Sequence, residues 1–427
     1  MKSKFIKSTI ILIIGGLITK ILSMVIKIFL TRSIGDEGIS LYMLVLPTFN
    51  LFITLCTMSL ANAISKLISQ RGKSKKIVLS IIPVSLIYNL FLMLMLIFLA
   101  PIIATRLLNN GMTKYPIMAI GLTLPFICLS SILKGYFYGK ENMGPYVVSN
   151  IVEQIVRFGL IVFLIPKLLK YGIIVACVGV VLINVCSELS SIICLILFIP
   201  NKKISLEDFK FDKVIFKDLM DVSLSSTGSR LIGSISYFLE PVILTFVMLK
   251  AGFDNNYITL EYGIITGYVY PLLLLPSFFT MAISTSLLPV ISNGFAKGDF
   301  KYVEKKLHQA IGLSLIIGIC CTVIYMLFAD ILLKFIYNTS LGGTYIKIIA
   351  PFFLLHYIQG PLTSYLQATD MAKQAMYGTL VGAIIKNILL LILPLFIGIW
   401  GFIVASLVNI LYVTLQHIYY ARKSLAR

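Results

Sequence analysis

NKKISLEDFKFDKVIFKD, residues 201–218, is the longest predominantly polar connection in a chain that is otherwise apolar, and it falls near the middle of the 427 residues. A helix needs about 20 consecutive apolar residues to cross a bilayer. Six such segments precede this connection (8–30, 40–67, 77–104, 116–138, 146–166 and 171–199) and six follow it (219–249, 262–291, 308–336, 344–366, 376–397 and 400–421). With 59% hydrophobic residues, 12% charged residues and a mean hydropathy of +0.98, the chain lies outside the soluble globular range. No segment has the alternation of a strand or barrel. The expected fold class is an all-α polytopic membrane protein of about 12 transmembrane helices: an N-terminal lobe at 1–200, a cytoplasmic linker at 201–218 and a C-terminal lobe at 219–427. The first segment is too long for a signal peptide and no small-residue cleavage site follows it, so it counts as a span and the mature protein is expected to start near Met1.

The two halves resemble one another. Pro125-Phe126 answers Pro351-Phe352, Pro166 answers Pro394 and Asn184 answers Asn409, at nearly constant offset. TKILS around Lys20 matches SRLIG around Arg230, and the run from Leu46 to Ser69 parallels that from Tyr270 to Ser292. Because each half has six spans, both copies enter the membrane in the same direction. Two pseudo-symmetric six-helix lobes related by an axis along the membrane normal follow, an arrangement in which transporters place substrate at the interface between repeats.

The formal charge of +19 raises the question of nucleic acid, and the distribution of the cations answers it. With the amino end inside, 21 Lys and Arg fall in cytoplasmic segments against six outside (Arg32, Arg106, Lys114, Lys167, Lys170 and Lys250). This is the positive-inside bias; it puts both termini in the cytoplasm and makes the basic loops orienting and lipid-facing, so membrane lipids are expected partners and nucleic acid is not. The seven cysteines all lie within spans without metal-ligand spacing, which implies no disulfide, no metal and no cofactor.

Nine of the 36 basic residues remain at membrane depth. Lys66, Lys134, Lys334 and Lys347 lie near span ends, where snorkelling accounts for them. Lys20, Lys27, Arg157, Arg230 and Lys386 do not, and a charge near a helix centre costs about 2.5–3.5 kcal/mol to insert. Lys20 and Lys27 share one helix face with Thr19 and Ser23, and Ser223, Ser226, Arg230, Ser234 and Tyr237 form a second polar stripe on the matching span seven. Pseudo-symmetry would set Lys20 and Arg230 on opposite walls of one cavity suited to an anion. Glu153 and Arg157 stand at i, i+4 in the favourable order. Lys386 falls near the Arg157 position of the second repeat, with no acid where Glu153 would be. A structural ion pair remains an alternative for Glu153 and Arg157, and for Lys20, Lys27 and Arg230 a purely structural role is the competing reading. Glu240, followed by Pro241, is open between an ion-coupling site and a partner for a lysine, while Glu188 and His356 read as satisfied core groups.

Three stretches carry a family resemblance: the run from Ile18 to Leu67, KGYFYGKENMGPYVVSNIVEQIVRF at 134–158, and GYVYPLLLLPSFFTMAISTSLLPVISNGFAKGD at 267–299. The chain resembles the stage V sporulation protein B type of polysaccharide exporters, relatives of the lipid II flippase within the multidrug, oligosaccharidyl-lipid and polysaccharide flippase superfamily. The resemblance implies two six-helix lobes round a hydrated cationic cavity, alternating access, and an undecaprenyl-pyrophosphate-linked sugar as cargo, moved for wall or spore-cortex synthesis with wall-synthesis enzymes as candidate partners. It also implies a pyrophosphate-binding role for Lys20, with Lys27 a shifted substitute beside Ile26. The chain departs from lipid II flippases at Pro271 and at Leu51 and Phe52, where they carry arginines, and it has twelve expected spans where many relatives have fourteen. A multidrug or cation antiporter of the same superfamily is the rival function. A membrane glycosyltransferase would need a paired-Asp, His-Glu or phosphate-binding glycine motif, none of which the short loops contain.

Overall fold

The structure is a computed structural model that describes residues 2–72, 74–200 and 209–425, without the side chains of residues 2–10, 13, 74, 225, 226 and 229. Its described residues are organised as helices, because backbone in hydrocarbon must satisfy its own hydrogen bonds. In chain order these are α1 (Lys2–Thr57), α2 (Leu60–Arg71), α3 (Ser74–Ile102), α4 (Lys114–Gly139), α5 (Met143–Leu168), α6 (Ile173–Leu197), α7 (Lys213–Lys250), α8 (Asn255–Ile264), α9 (Tyr270–Leu273), α10 (Ser277–Ala296), α11 (Phe300–Tyr337), α12 (Gly343–Ala368), α13 (Ala372–Ile397) and α14 (Ile399–Leu425).

Among the described residues, 10 helical segments are long and apolar enough to cross a membrane. Two features separate this number from the twelve expected spans. The first two spans run as one segment, Ile14–Arg71, kinked at Gly35 (φ 70°), where glycine tolerates the left-handed backbone. The helix Gly343–Ala368 is long enough, but His356, Gln359, Thr363, Ser364 and Gln367 dilute its apolar run. Turn chemistry ends or starts several helices. Asp254 accepts hydrogen bonds from the amides of Asn256 and Tyr257 at the start of α8, Asp299 caps α11 through the Tyr302 amide, and Gly72 and Asn338 close α2 and α11 in the left-handed region.

The chain forms two compact units, Met1–Phe238 and Leu239–Arg427, with the boundary inside α7. In the first unit α4 is the hub, packing on α1, α2, α3, α5 and α6; in the second, α12 packs on α10, α11, α13 and α14. These two hubs carry Pro125 and Pro351, which match in the sequence repeat. The further pairings α5 with α6 and α13 with α14 correspond in the same way.

A close approach of two helices in the first unit explains the GYFYG element. A Cβ at Gly135 would come within 2.8 Å of the Ala61 Cα and carbonyl oxygen, and one at Gly139 within 2.7 Å of Ile68 Cβ. The glycines at i and i+4 let α4 lie directly on α2, the small-residue packing that membrane helices use in place of a hydrophobic driving force.

Candidate functional site

The second expected span is broken at Met58 and Ser59, both with positive φ (42° and 53°), a conformation uncommon for residues with a side chain. A break at membrane depth frees backbone carbonyls that need partners. Asn89 donates to the Cys56 carbonyl at 3.4 Å and the Ser223 hydroxyl donates to the Met58 carbonyl. Arg230 Nη1 donates to Ser59 Oγ at 3.2 Å, and Ser234 shares a 2.7 Å hydrogen bond with Thr54. The polar stripe of α7 is thus a seam that clasps the broken span. Ser226, also expected in it, has its side chain outside the described residues.

The other cations of the first unit gather along α1 and α5. Lys27 and Arg157 line one cavity of about 190 Å³ together with Ser23, Tyr42, Gln154 and Asn184. Lys20 lines a neighbouring cavity of about 400 Å³. Ser23 borders both, with its hydroxyl 2.8 Å from the Thr19 carbonyl and 3.3 Å from Gln154 Oε1. The structure therefore brings Lys27 and Arg157 together and puts Lys20 next door, while Arg230 lines neither of these two cavities.

Behind Arg157 lies a buried charge cluster. Glu153, 6% exposed, accepts from Arg157 Nη2 at 2.9 Å and from Lys134 Nζ at 3.0 Å. The intrahelical pair read from the i, i+4 spacing is present. Lys134, however, does not snorkel. Its side chain is 17% exposed and bridges α4 to α5 through the buried carboxylate of Glu153, a pairing that offsets the cost of taking both charges out of water. Arg157 also donates to Ser187 Oγ on α6 at 3.2 Å. Glu188, next along α6, interacts with Lys134, Glu153 and Arg157 and with the Ser130 hydroxyl of α4. It is a buried core group, as expected, and also a fourth member of the cluster. Sequence spacing carries no sign of the Lys134 and Glu188 contacts, which cross between helices.

In the second unit Lys386 on α13 meets Glu240 on α7 at 2.5 Å, with side chains 14% and 8% exposed. The Lys386 ammonium also lies 5.2 Å from the centre of the Phe402 ring, within cation–π reach. The acid that the second repeat lacks on span eleven is supplied by span seven. Of the alternatives open for Glu240, its geometry is that of a lysine partner.

What such an arrangement does chemically follows from donor type. Lys27 and Arg157 offer an ammonium and a guanidinium to one cavity of mixed polar and apolar lining, where an anionic oxygen would find charge-assisted hydrogen bonds in place of water. A model of the family described as "Polysaccharide biosynthesis protein" matches residues 5–295. The chain belongs to the polysaccharide biosynthesis protein family. A second model, MatE, matches residues 265–393. This polysaccharide biosynthesis family member is 39% identical over 430 residues to stage V sporulation protein B of Bacillus subtilis (strain 168), covering 97% of this chain and 83% of the relative. It is 25% identical to lipid II flippase MurJ of the same organism, covering 91% of this chain and 77% of that one. Among solved structures, an inward-facing multidrug resistance MATE family transporter of the MOP superfamily superposes with a TM-score of 0.72 at 16% identity, over 96% of this chain and 94% of that one. That likeness shows the fold: the family member is a multi-pass membrane protein with the architecture of a MATE-like transporter.

Proposed function

We propose that this polysaccharide biosynthesis family member is a flippase that moves a polyprenyl-pyrophosphate-linked sugar across the bacterial cytoplasmic membrane by alternating access, supplying wall, cortex or polysaccharide synthesis. The observation that carries the reading is the convergence of Lys27 and Arg157 on one cavity whose other walls are partly apolar. Both cations are expensive at membrane depth, and a pyrophosphate returns that cost through charge-assisted hydrogen bonds. Lys20, about 10 Å along the same helix, extends the anion path. The relatives named for sporulation and for lipid II flipping agree with this cargo class. Arg230 and the Lys386–Glu240 pair are assigned to holding helices together, and Glu240 is assigned no ion-coupling role. A cavity lined by cations repels the cationic drugs of a multidrug antiporter, so the anionic cargo is favoured. Translocation breaks no covalent bond, and the reading needs neither a catalytic residue nor a cofactor. Wall-synthesis enzymes that make or consume the lipid-linked sugar are natural partners.

The test is reconstitution. Changing Lys20, Lys27 and Arg157 together to glutamine should abolish movement of lipid-linked sugar between leaflets of proteoliposomes, while Lys27→Arg, which keeps the charge, should retain it. Transport that persists in the triple variant sinks the assignment.

A further inference from the structure

The two neighbouring cavities of the first unit differ in chemistry. The smaller one, further along α1, holds Lys27 and Arg157. The larger one, nearer the amino end of α1 and here called the outer cavity, has a single cation, Lys20, and is bordered by Tyr138, Tyr146, Asn150 and Thr19 beside the apolar Leu12 and Val147, with Gly16 also on its wall. Tyr138 closes the end of α4 and Tyr146 the start of α5, and their ring centres stand 4.5 Å apart at an interplanar angle of 51°. Neither tyrosine is fully buried. Two inclined aromatic faces with an amide beside them fit a ligand that has an apolar C–H face and an edge of hydroxyls. Ring faces carry negative charge density that attracts C–H groups, and Asn150 can both donate and accept. An acyl chain would have no use for the amide, and a bare anion would have none for the rings. The volume, about 400 Å³, lies in the range of small-molecule sites.

Gly16 makes the cavity read as kept open. Its neighbour Gly15 is small for packing, since a Cβ there would lie 2.2 Å from Val147 Cγ1. A Cβ at Gly16 would meet nothing within 4 Å, although a glycine inside a helix weakens it relative to alanine. The missing side chain leaves room in front of the tyrosines.

We infer that the outer cavity formed by Tyr138, Tyr146 and Asn150 under Gly16 is a carbohydrate subsite that takes the first pyranose of the cargo, bonded to the pyrophosphate held by Lys27 and Arg157. This rests on the flippase reading and extends it: Ser23 borders both cavities, and Lys20 and Lys27 are about 10 Å apart along α1, so a sugar attached directly to a pyrophosphate spans them. The subsite also gives the GYFYGKENMGPY stretch a use beyond packing.

The experiment measures equilibrium binding to the full chain in detergent of three lipids: polyprenyl pyrophosphate, the same lipid bearing one N-acetylhexosamine, and phosphatidylglycerol. The unaltered chain should bind the sugar-bearing lipid at least tenfold more tightly than the sugar-free one. Gly16→Leu, which puts a side chain into the cavity from a position whose Cβ meets nothing within 4 Å, and Asn150→Leu, which removes the amide, should each erase that preference, lowering affinity for the sugar-bearing lipid at least tenfold and for the sugar-free lipid less than twofold. A preference that survives both variants overturns the inference, as does an unaltered chain without any preference. Equal losses for all three lipids also overturn it, marking the cavity as a site for ordinary phospholipid headgroups. Failure of the unaltered chain to bind even the sugar-free lipid would count instead against the flippase reading itself.

Discussion

Lys386 on α13 is joined to Glu240 on α7 at 2.5 Å, whereas in the first unit the corresponding basic position, Arg157 on α5, is joined to an acid on its own helix, Glu153, at 2.9 Å. The two repeats thus bury a similar pairing of charges by different routes. In the first unit the acid is shared among cations from two helices, and Arg157 still reaches a cavity. In the second unit the acid and base meet one to one across two helices and tie them.

That difference makes the second pair the more purely structural. Removing one partner of a buried ion pair strands a charge and costs about 3–5 kcal/mol, while replacing both with apolar groups of similar volume is often neutral. Glu240→Gln should therefore destabilise the protein by about that amount, and adding Lys386→Met should recover most of it. Thermal unfolding in detergent of the two single variants and the double variant measures the coupling. A double variant that is as unstable as Glu240→Gln would refute the pairing as a lock.

The packing of α2 on α4 gives a prediction of opposite character. At Gly135 the atoms in the way of a side chain are the Cα and carbonyl of Ala61, which no rotamer change can move. Gly135→Val should push the helices apart and cost about 1–3 kcal/mol or more in stability. Gly16→Ala, with open space at the Cβ, should cost nothing on the same measure. Thermal unfolding of both variants in one detergent separates the two cases.

Much of this was legible in the sequence because membrane helices obey simple rules. Apolar runs of the right length marked the helices, and the repeat landmarks Pro125 and Pro351 fell on the two hubs. The spacing of Glu153 and Arg157 gave their bond, since four residues is one helical turn. What the sequence did not carry was contact between helices. Lys134 read as a snorkelling lysine near a span end, because nothing in its own segment shows that α5 offers a carboxylate 3.0 Å away. The bond of Arg230 to Ser59 was not legible either, because the break at Met58 and Ser59, with no glycine or proline at the site, is invisible in the sequence.

Outside the membrane, Asp212 precedes α7 and bonds Lys76 at 2.7 Å and the amides of Ile215 and Val214. The lysine first, and then these amides, hold its carboxyl below the usual carboxylate range. A lowered folded value means stability that is fully present above the unfolded value of about 3.9 and is lost as pH falls through the folded one. Asp212→Asn should therefore unfold at a lower temperature than the unaltered chain at pH 6, and the gap should close below about pH 4. It should also shrink with added salt, because the pair is exposed. Unfolding midpoints across pH for both proteins provide the check.

The last prediction concerns the acid that holds Arg157. Glu153 accepts from Arg157 and from Lys134, so a phosphate entering the Lys27 cavity competes with a carboxylate for the same guanidinium. Glu153→Gln keeps the shape but removes that competitor, and hydrogen bonds to charged groups are worth about 1.5–3 kcal/mol. Part of this is offset by Lys134, which loses one of its two acidic neighbours among the described residues and keeps Glu188. The net expectation is a polyprenyl pyrophosphate bound roughly three- to tenfold more tightly, since tenfold corresponds to about 1.4 kcal/mol. Tighter binding slows release, so movement of lipid-linked sugar in proteoliposomes should fall even as affinity rises. Weaker binding in Glu153→Gln would mean that the carboxylate positions Arg157 for the phosphate instead of competing with it. Binding and transport measured on the same variant distinguish the two, because a positioning role lowers both together whereas competition moves them in opposite directions.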